Sequence, residues 1–298
     1  MKVAIFGKKF SSDVLPFILQ LYVELDDLNI EHITHHKFAN FIKNIAPKDF
    51  EIPTYNYDNT STSSDIQVDF LLCIGGDGTI LDTVTSMAGS SIPIVGINTG
   101  RLGFLANNSR DDIKIVLAHL MSNNFTLEER GLLSLTTENN LFGKFNFALN
   151  EITVHKKDSA SMITLHTYID DIYLNSYWSD GLIIATPTGS TAYSLSCGGP
   201  ILDPRSKSFV INPIAPHSLT ARPIIIPDDV TIKIVVEGRD HSLLTTLDSR
   251  SKTISSKTEL FIRKSDYTIN LVKFEGQNFF KTIRAKLLWG LDNRNEEI

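Results

Sequence analysis

An acid stands inside a run of glycines at Gly75-Gly76-Asp77-Gly78-Thr79. The run follows the apolar stretch Val68 to Ile74, interrupted only by Asp69, and precedes Ile80-Leu81-Asp82-Thr83-Val84. That order reads as a strand, a turn and a helix that can open at Ile80. Glycines let the backbone approach a ligand closely, and a helix N-terminus leaves N–H groups free for an anion such as phosphate. A pure phosphate cradle gains nothing from a carboxylate. A site that takes a proton from a hydroxyl, or holds a metal beside phosphate, does. The bland alternative is that Asp77 caps the helix, a task Thr79 could share. No Gly-Lys-Ser/Thr follows, and the spacing is not Gly-x-Gly-x-x-Gly, so nucleotide classes built on those motifs are disfavoured.

A second cluster runs from Asp180 to Tyr193, where the apolar Gly181 to Ala185 ends in Thr186-Pro187-Thr188-Gly189-Ser190-Thr191-Ala192-Tyr193. Hydroxyls and backbone N–H groups such as those around Thr188 suit ribose and phosphate oxygens. The same residues also suit a turn with Ser/Thr caps. Asn150-Glu151 closes the run Phe145 to Leu149. Its amide and acid could read a base or ribose, or simply make a turn. Lys8 and Arg101 follow the first and fourth strands, at carboxyl ends where α/β sheets bind ligands. Arg222 and Arg250 are further cations for an anionic ligand. His217 reads as a hydrogen-bonded structural histidine, and Lys156, Lys157 and Asp158 as a solvated loop. His32, His35 and His36 have helix-like spacing for metal ligands, but no acid or cysteine completes a site, so a solvated face is expected.

The elements that must position these groups fall into two kinds. Lys2 to Phe6, Val68 to Ile74 and Ile92 to Ile97 read as buried strands. Helical patterns cover Val14 to Leu28, Lys37 to Ile45 and Asp111 to Met121. This alternation implies a mostly parallel, Rossmann-like α/β domain over residues 1–123. The polar stretch Tyr55 to Asp65 reads as a mobile loop. Beyond Phe125 short β-prone runs take over, which predicts an all-β sandwich over 124–266. Ser194 to Ser196 could form a short helix. An amphipathic helix from Phe279 to Leu288 predicts a tail, 267–298, that docks back on the α/β domain.

Bulk composition narrows the classes. The 298 residues suffice for two ordinary domains. A formal net charge of -6 argues against a general nucleic-acid binder, so a phosphate site must be made locally. Two cysteines, Cys73 and Cys197, allow no disulfide framework or cysteine metal cluster, and Cys73 reads as a small buried residue. The apolar Val3 to Phe6 is too short for a signal peptide or a membrane span, so a cytoplasmic protein with no membrane partner is expected.

Taken together, the motifs resemble bacterial-type NAD kinases, which transfer the terminal phosphate of ATP to the adenosine 2′-hydroxyl of NAD. The resemblance rests on Gly75 to Thr79, Asn98-Thr99-Gly100-Arg101-Leu102-Gly103-Phe104-Leu105, Asn150-Glu151 and Asp180 to Pro200. It extends through Pro216 to Pro223, Asp248-Ser249-Arg250 and Phe279 to Gly290. The first motif alone would not separate this family from lipid kinases. The resemblance implies that Asp77 accepts the hydroxyl proton, with Gly78 beside it against the dinucleotide. It implies that Asn150 and Glu151 hold NAD, and that Asp180 contacts the second nucleotide half or a neighbouring subunit's ligand. Thr191, Ala192, Tyr193, Ser194, Leu195 and Ser196 would line the adenosine pocket, with Ala215 and Arg250 near further contacts. ATP and NAD as substrates, a divalent cation such as Mg²⁺ and a homo-oligomer, often a tetramer, are implied likewise. Trp178, Ser161 and Arg250 stand where some relatives have Arg, His and Gln. A lipid or sugar kinase of the same broad fold and a non-catalytic dinucleotide sensor are the alternatives.

Overall fold

A computed structural model describes residues 1–47, 50–55, 67–87, 89–157, 161–237 and 243–289. The loop expected from Tyr55 to Asp65 lies outside them beyond Tyr55, as do Asp158 and Gly290. The chain divides into two compact units, Met1–Glu129 with Ile269–Ile298, and Arg130–Thr268.

The first unit opens with β1 (Lys2–Gly7), α1 (Leu15–Asp27), β2 (Glu31–His35), α2 (His36–Lys43) and the short β3 (Thr54–Tyr55). β4 (Phe70–Ile74), α3 (Asp77–Ser86), β5 (Ile94–Asn98), β6 (Asn108–Ser109) and α4 (Ile113–Met121) follow. The sheet order is β3-β2-β1-β4-β5, all parallel. β1, β4 and β5 are buried on both faces, which is why they read as unbroken apolar runs. In α1, Phe17, Ile18, Leu21, Tyr22 and Leu25 form one buried stripe at helical spacing. α2 buries Phe38, Ala39 and Ile42 in the same core. Each such side chain contributes about 1.5–3 kcal/mol by leaving water. Strand order reverses direction between β1 and β4, so a crevice opens at their carboxyl ends. Lys8 follows one strand there and Gly75 the other.

The histidines depart from expectation. His35 is buried, with its ring 5.0 Å from Phe6 and 5.6 Å from Tyr55. Apolar packing at the end of β2 claims it, in place of the solvated face expected. Among the described residues no group of His, Cys, Asp and Glu could hold a metal ion by itself. Cys73 is fully buried, and burial pushes its thiol up to about 12, as befits a small core residue.

The second unit holds two antiparallel sheets. β7 (Thr126–Thr136) leads into it and pairs with β8 (Phe147–Ala148). β9 (Glu151–Lys156), β10 (Ile163–Ile169), β11 (Ile172–Ser179) and β12 (Gly181–Ala185) precede a four-residue helix, α5 (Tyr193–Ser196). β13 (Ser208–Ile214), β14 (Ile224–Pro227), β15 (Ile232–Glu237), β16 (Leu243–Leu247), β17 (Arg250–Ile254) and β18 (Glu259–Lys273) complete the strands. One sheet runs β14-β13-β12-β9-β16-β17, and the other contains β11-β10-β15-β18. Inward residues from both, including Ile152, Leu182, Leu165 and Ile234, share one core. Asp170 and Asp171 take φ of 48° and 64° and form a tight hairpin turn, and β11 starts after them.

β18 ends in the first unit, where Leu271 pairs with Ile94 of β5. The chain closes with α6 (Phe279–Leu287). Asn278 caps it by accepting the Lys281 N–H at 2.8 Å. Gln277 Nε2 donates to Asn108 Oδ1 at 2.7 Å, and Thr282 and Ile283 are buried. The tail therefore docks on the α/β unit. No helix among the described residues is long and apolar enough to cross a membrane.

Candidate active site

The acid between the glycines is the first residue of α3, three positions earlier than the apolar pattern suggested, with Gly76 as its cap position. Neither Asp77 nor Thr79 closes the helix through a side chain. Thr79 is buried, and its N–H bonds the Gly76 carbonyl at 2.9 Å. The Asp77 carboxylate is spent on another segment. Its Oδ2 accepts the Phe104 N–H at 2.8 Å, and its Oδ1 accepts those of Leu105 and Ala106 at 3.0 Å each. Gly103 lets this clamp form, because a Cβ there would collide with the carboxylate. Gly75, at φ 147°, would strike Thr79 if it carried a side chain, whereas Gly76 and Gly78 face open space. The latter two leave room for a ligand to reach the backbone.

The loop after β5 is stiffened from within. Asn98, buried at the strand end, accepts the Gly100 N–H at 2.6 Å and donates to the Arg101 carbonyl. The structure thus brings together Gly75 to Thr79 and Asn98 to Leu105, two motifs well apart in sequence. Asp77, Arg101, Leu102, Gly103, Ala285 and Lys286 wall a cavity of about 580 Å³. Lys8 reaches the same turn, with Nζ donating to the Gly78 carbonyl at 3.4 Å and pairing with Asp82. Lys286 was not among the residues singled out from sequence. Its signal is the amphipathic tail, which announces a helix but not which residue it aims inward.

In the second unit Asn150 and Glu151 stand at the start of β9, beside the 186–193 loop. Gly189 packs so tightly on the Asn150 backbone that a Cβ would collide with it. Thr186 N donates to the Asn150 carbonyl at 2.9 Å, and Thr186 Oγ1 to that of Leu149 at 2.6 Å. Ser190 Oγ donates to the Pro187 carbonyl at 2.6 Å, and Asn212 Nδ2 bonds both the carbonyl and Oγ of Ser194. Thr188 Oγ1 accepts from Arg130 at 3.0 Å. These hydroxyls hold the loop's own shape, as the turn reading allowed. The surface left for a ligand comes from Thr191, Ala192 and Leu195, half-buried, and from Tyr193 and Ser196, exposed.

Glu151 is strongly perturbed there. Burial, then the charge of Asp248, pushes its carboxyl up to about 8, offset in part by the Tyr193 N–H. Its Oε2 is buried with no hydrogen-bond partner among the described residues. Asp248, in a left-handed conformation at φ 51°, accepts the N–H groups of Leu149 at 2.9 Å, Asn150 at 2.8 Å and Glu151 at 3.2 Å. The sequence marked Asp248 only as part of a motif.

Other expected residues make contacts of their own. Arg250 donates to the Phe145 and Phe147 carbonyls and lies over the Phe147 ring, so its hydrogen bonds serve the fold. Arg222 donates to carbonyls of its own loop. Asp180 is paired with Lys156 at 2.6 Å. The Trp178 ring packs tilted against His217, ring centroids 4.3 Å apart, and Ala215 between them in sequence takes a left-handed φ of 44°. That strained backbone turns the chain out of β13.

A glycine turn with an acid at the switch point of a parallel sheet, carried on the same chain as a β sandwich whose Asn150-Glu151 pair buries its acid, is the arrangement of a two-domain nucleotide-binding protein. Residues 14–125 match the ATP-NAD kinase N-terminal domain and 149–274 the ATP-NAD kinase C-terminal domain. The chain belongs to the NAD kinase family. It is 47% identical to an NAD kinase of Flavobacterium johnsoniae over 99% of this chain and 100% of that one. It is 42% identical to one of Bacteroides fragilis over the same shares. Among solved structures, an NAD kinase from Archaeoglobus fulgidus in complex with ATP superposes with a TM-score of 0.73 at 25% identity, over 97% of this chain and 99% of that one. Yeast NADH kinase complexed with NADH has the same fold, with a TM-score of 0.85 at 24% identity over 100% and 90%.

Proposed function

We infer that the protein is an NAD kinase that moves the γ-phosphate of ATP to the adenosine 2′-hydroxyl of NAD, giving NADP. The observation that carries the chemistry is Asp77. Its carboxylate is held by three N–H groups and faces a cavity at the strand ends. A ribose hydroxyl is a poor nucleophile at neutral pH. Asp77 receives its proton as the bond to phosphorus forms. The clamp fixes the carboxylate's direction, so no reorientation is needed during transfer. Gly76 and Gly78 admit the donor phosphates against the backbone. Asn150, Glu151 and the exposed edge of Thr191 to Ser196 hold the dinucleotide. Glu151, carrying its proton at neutral pH, can donate a hydrogen bond as well as accept one.

No trio of acids or histidines among the described residues makes a cation cage. A divalent cation, Mg²⁺ in this reading, would ride on the donor's phosphate oxygens and water, where it neutralises the triphosphate. A homo-oligomer, a tetramer in this reading, is supported by the exposed apolar residues Ile172 and Leu219 of the second unit, 75% and 90% accessible. The setting is the cytoplasm, where ATP and NAD are both at hand. The deciding assay incubates the protein with ATP, Mg²⁺ and NAD and measures NADP. Absence of product across donors and metals would overturn the reading.

A further inference from the structure

We propose that the cavity beside Asp77 seats the phosphoryl group in transfer, and that Lys286, delivered by α6, is the residue that binds it there. This rests on the kinase reading above. Lys286 Nζ lies 3.8 Å from Asp77 Oδ2 and 4.7 Å from the Phe104 ring centroid. At 3.8 Å the pair attract but do not hydrogen-bond, so the ammonium's donors are not spent on the carboxylate. Asp77 in turn already holds three N–H groups. Arg101, exposed, lines the same wall. Two cations against one carboxylate leave the cavity net positive, which suits an anion adjacent to a base.

The helix that carries Lys286 is rooted in the α/β unit. Ile283, one turn earlier on the same face, is buried, and Phe279 packs on Phe104 with ring centroids 6.3 Å apart. Phe104 therefore touches all three partners. Its N–H holds Asp77, its ring faces Lys286, and its edge meets the root of α6. Ala285 is small and leaves the cavity open beside Lys286. A lysine meant only to neutralise Asp77 would sit at hydrogen-bonding distance with no cavity at its tip.

In the step itself, the ribose 2′-oxygen forms a bond to the γ-phosphorus of ATP. The bond from that phosphorus to the β,γ-bridging oxygen breaks, and its electron pair leaves with ADP. The hydroxyl proton passes to Asp77. Lys286 makes no bond and loses no proton; it holds the equatorial oxygens of the group as charge spreads over them.

The test compares the wild type with Lys286→Met and Lys286→Arg by calorimetric titration with inorganic tripolyphosphate, with and without Mg²⁺, with NAD titrations in parallel and turnover to NADP. The Met variant should lose about tenfold or more in tripolyphosphate affinity and about 10²–10³ in kcat, and keep its NAD affinity within about threefold. Arg should restore most of both losses. A Met variant that binds tripolyphosphate and turns over like the wild type overturns the proposal, and so does one that loses NAD and tripolyphosphate affinity equally. The two readings fail separately. A wild type that makes no NADP sinks the kinase assignment, yet a tripolyphosphate loss specific to Lys286→Met would still uphold the anion seat.

Discussion

Asp77 and Asp248 each accept three consecutive backbone N–H groups, one in each unit, yet their surroundings differ in kind. Asp77 clamps Phe104 to Ala106 and keeps 30% of its side chain accessible, with a lysine and a cavity at its open side. Asp248 clamps Leu149 to Glu151 and is enclosed, and burial raises its proton affinity although the three N–H bonds oppose that. The same device thus serves two ends. An enclosed clamp fixes the ends of β9 and β16 together. An open clamp fixes a carboxylate whose remaining lone pair can work. The difference teaches that the hydrogen-bond pattern alone does not distinguish a structural carboxylate from one open to a ligand; the opening beside it does.

The comparison breaks most sharply at Asp77. Asp77→Asn should retain NAD binding and lose about 10²–10⁴ in turnover, measured as kcat for NADP beside an NAD titration. Near-normal turnover would remove Asp77 as base. Gly103→Ala should come next, because its Cβ would push into the carboxylate. A displaced base of that kind costs about 10²-fold in kcat, and the fold should survive by circular dichroism. Asp248→Asn should act the other way. It turns an N–H donor toward the Leu149 N–H and costs about 1–3 kcal/mol of stability, read by urea unfolding. Its NADP turnover per folded molecule should fall far less than that of Asp77→Asn.

The smallest effect concerns pH. Glu151 holds its proton up to about 8 in the folded state and releases it near 4.5 when unfolded. Between those values the folded chain binds more protons, so stability declines as pH rises through that window and levels off above it. Buried Asp248, also shifted upward, tilts the curve the same way. The midpoint temperature should therefore drop by a few degrees from pH 5 to 8, and Glu151→Gln should flatten that drop. An identical slope in the variant would assign the effect elsewhere.

Much of this was legible in the chain itself. Apolar runs at Lys2 to Phe6 and Val68 to Ile74 announced parallel strands, because strands covered on both faces have no polar side to show. The turn after them announced its acid. What could not be read was direction. Thr186, Ser190 and Ser194 are the residues a ligand would want, yet their hydroxyls are taken up by the Leu149 and Pro187 carbonyls and the Asn212 side chain. Arg250 has the charge for phosphate and the geometry for two carbonyls. Lys286 looked like any cation on an amphipathic tail. His35 looked solvated because nothing in its neighbourhood of sequence shows Phe6 and Tyr55 closing over it.

The α/β unit is discontinuous, with Arg130–Thr268 interposed before its last strand segment and α6. On a ribosome adding about 5–20 residues per second, on the order of 10 s separate the emergence of Asp77's own sheet from the arrival of Lys286. For that interval the nascent chain carries the Asp77 carboxylate and its loop without the cation that faces them. The pocket beside Asp77 is therefore completed only once α6 has been made, and a chain cut short before α6 would carry the glycine turn without the Lys286 wall.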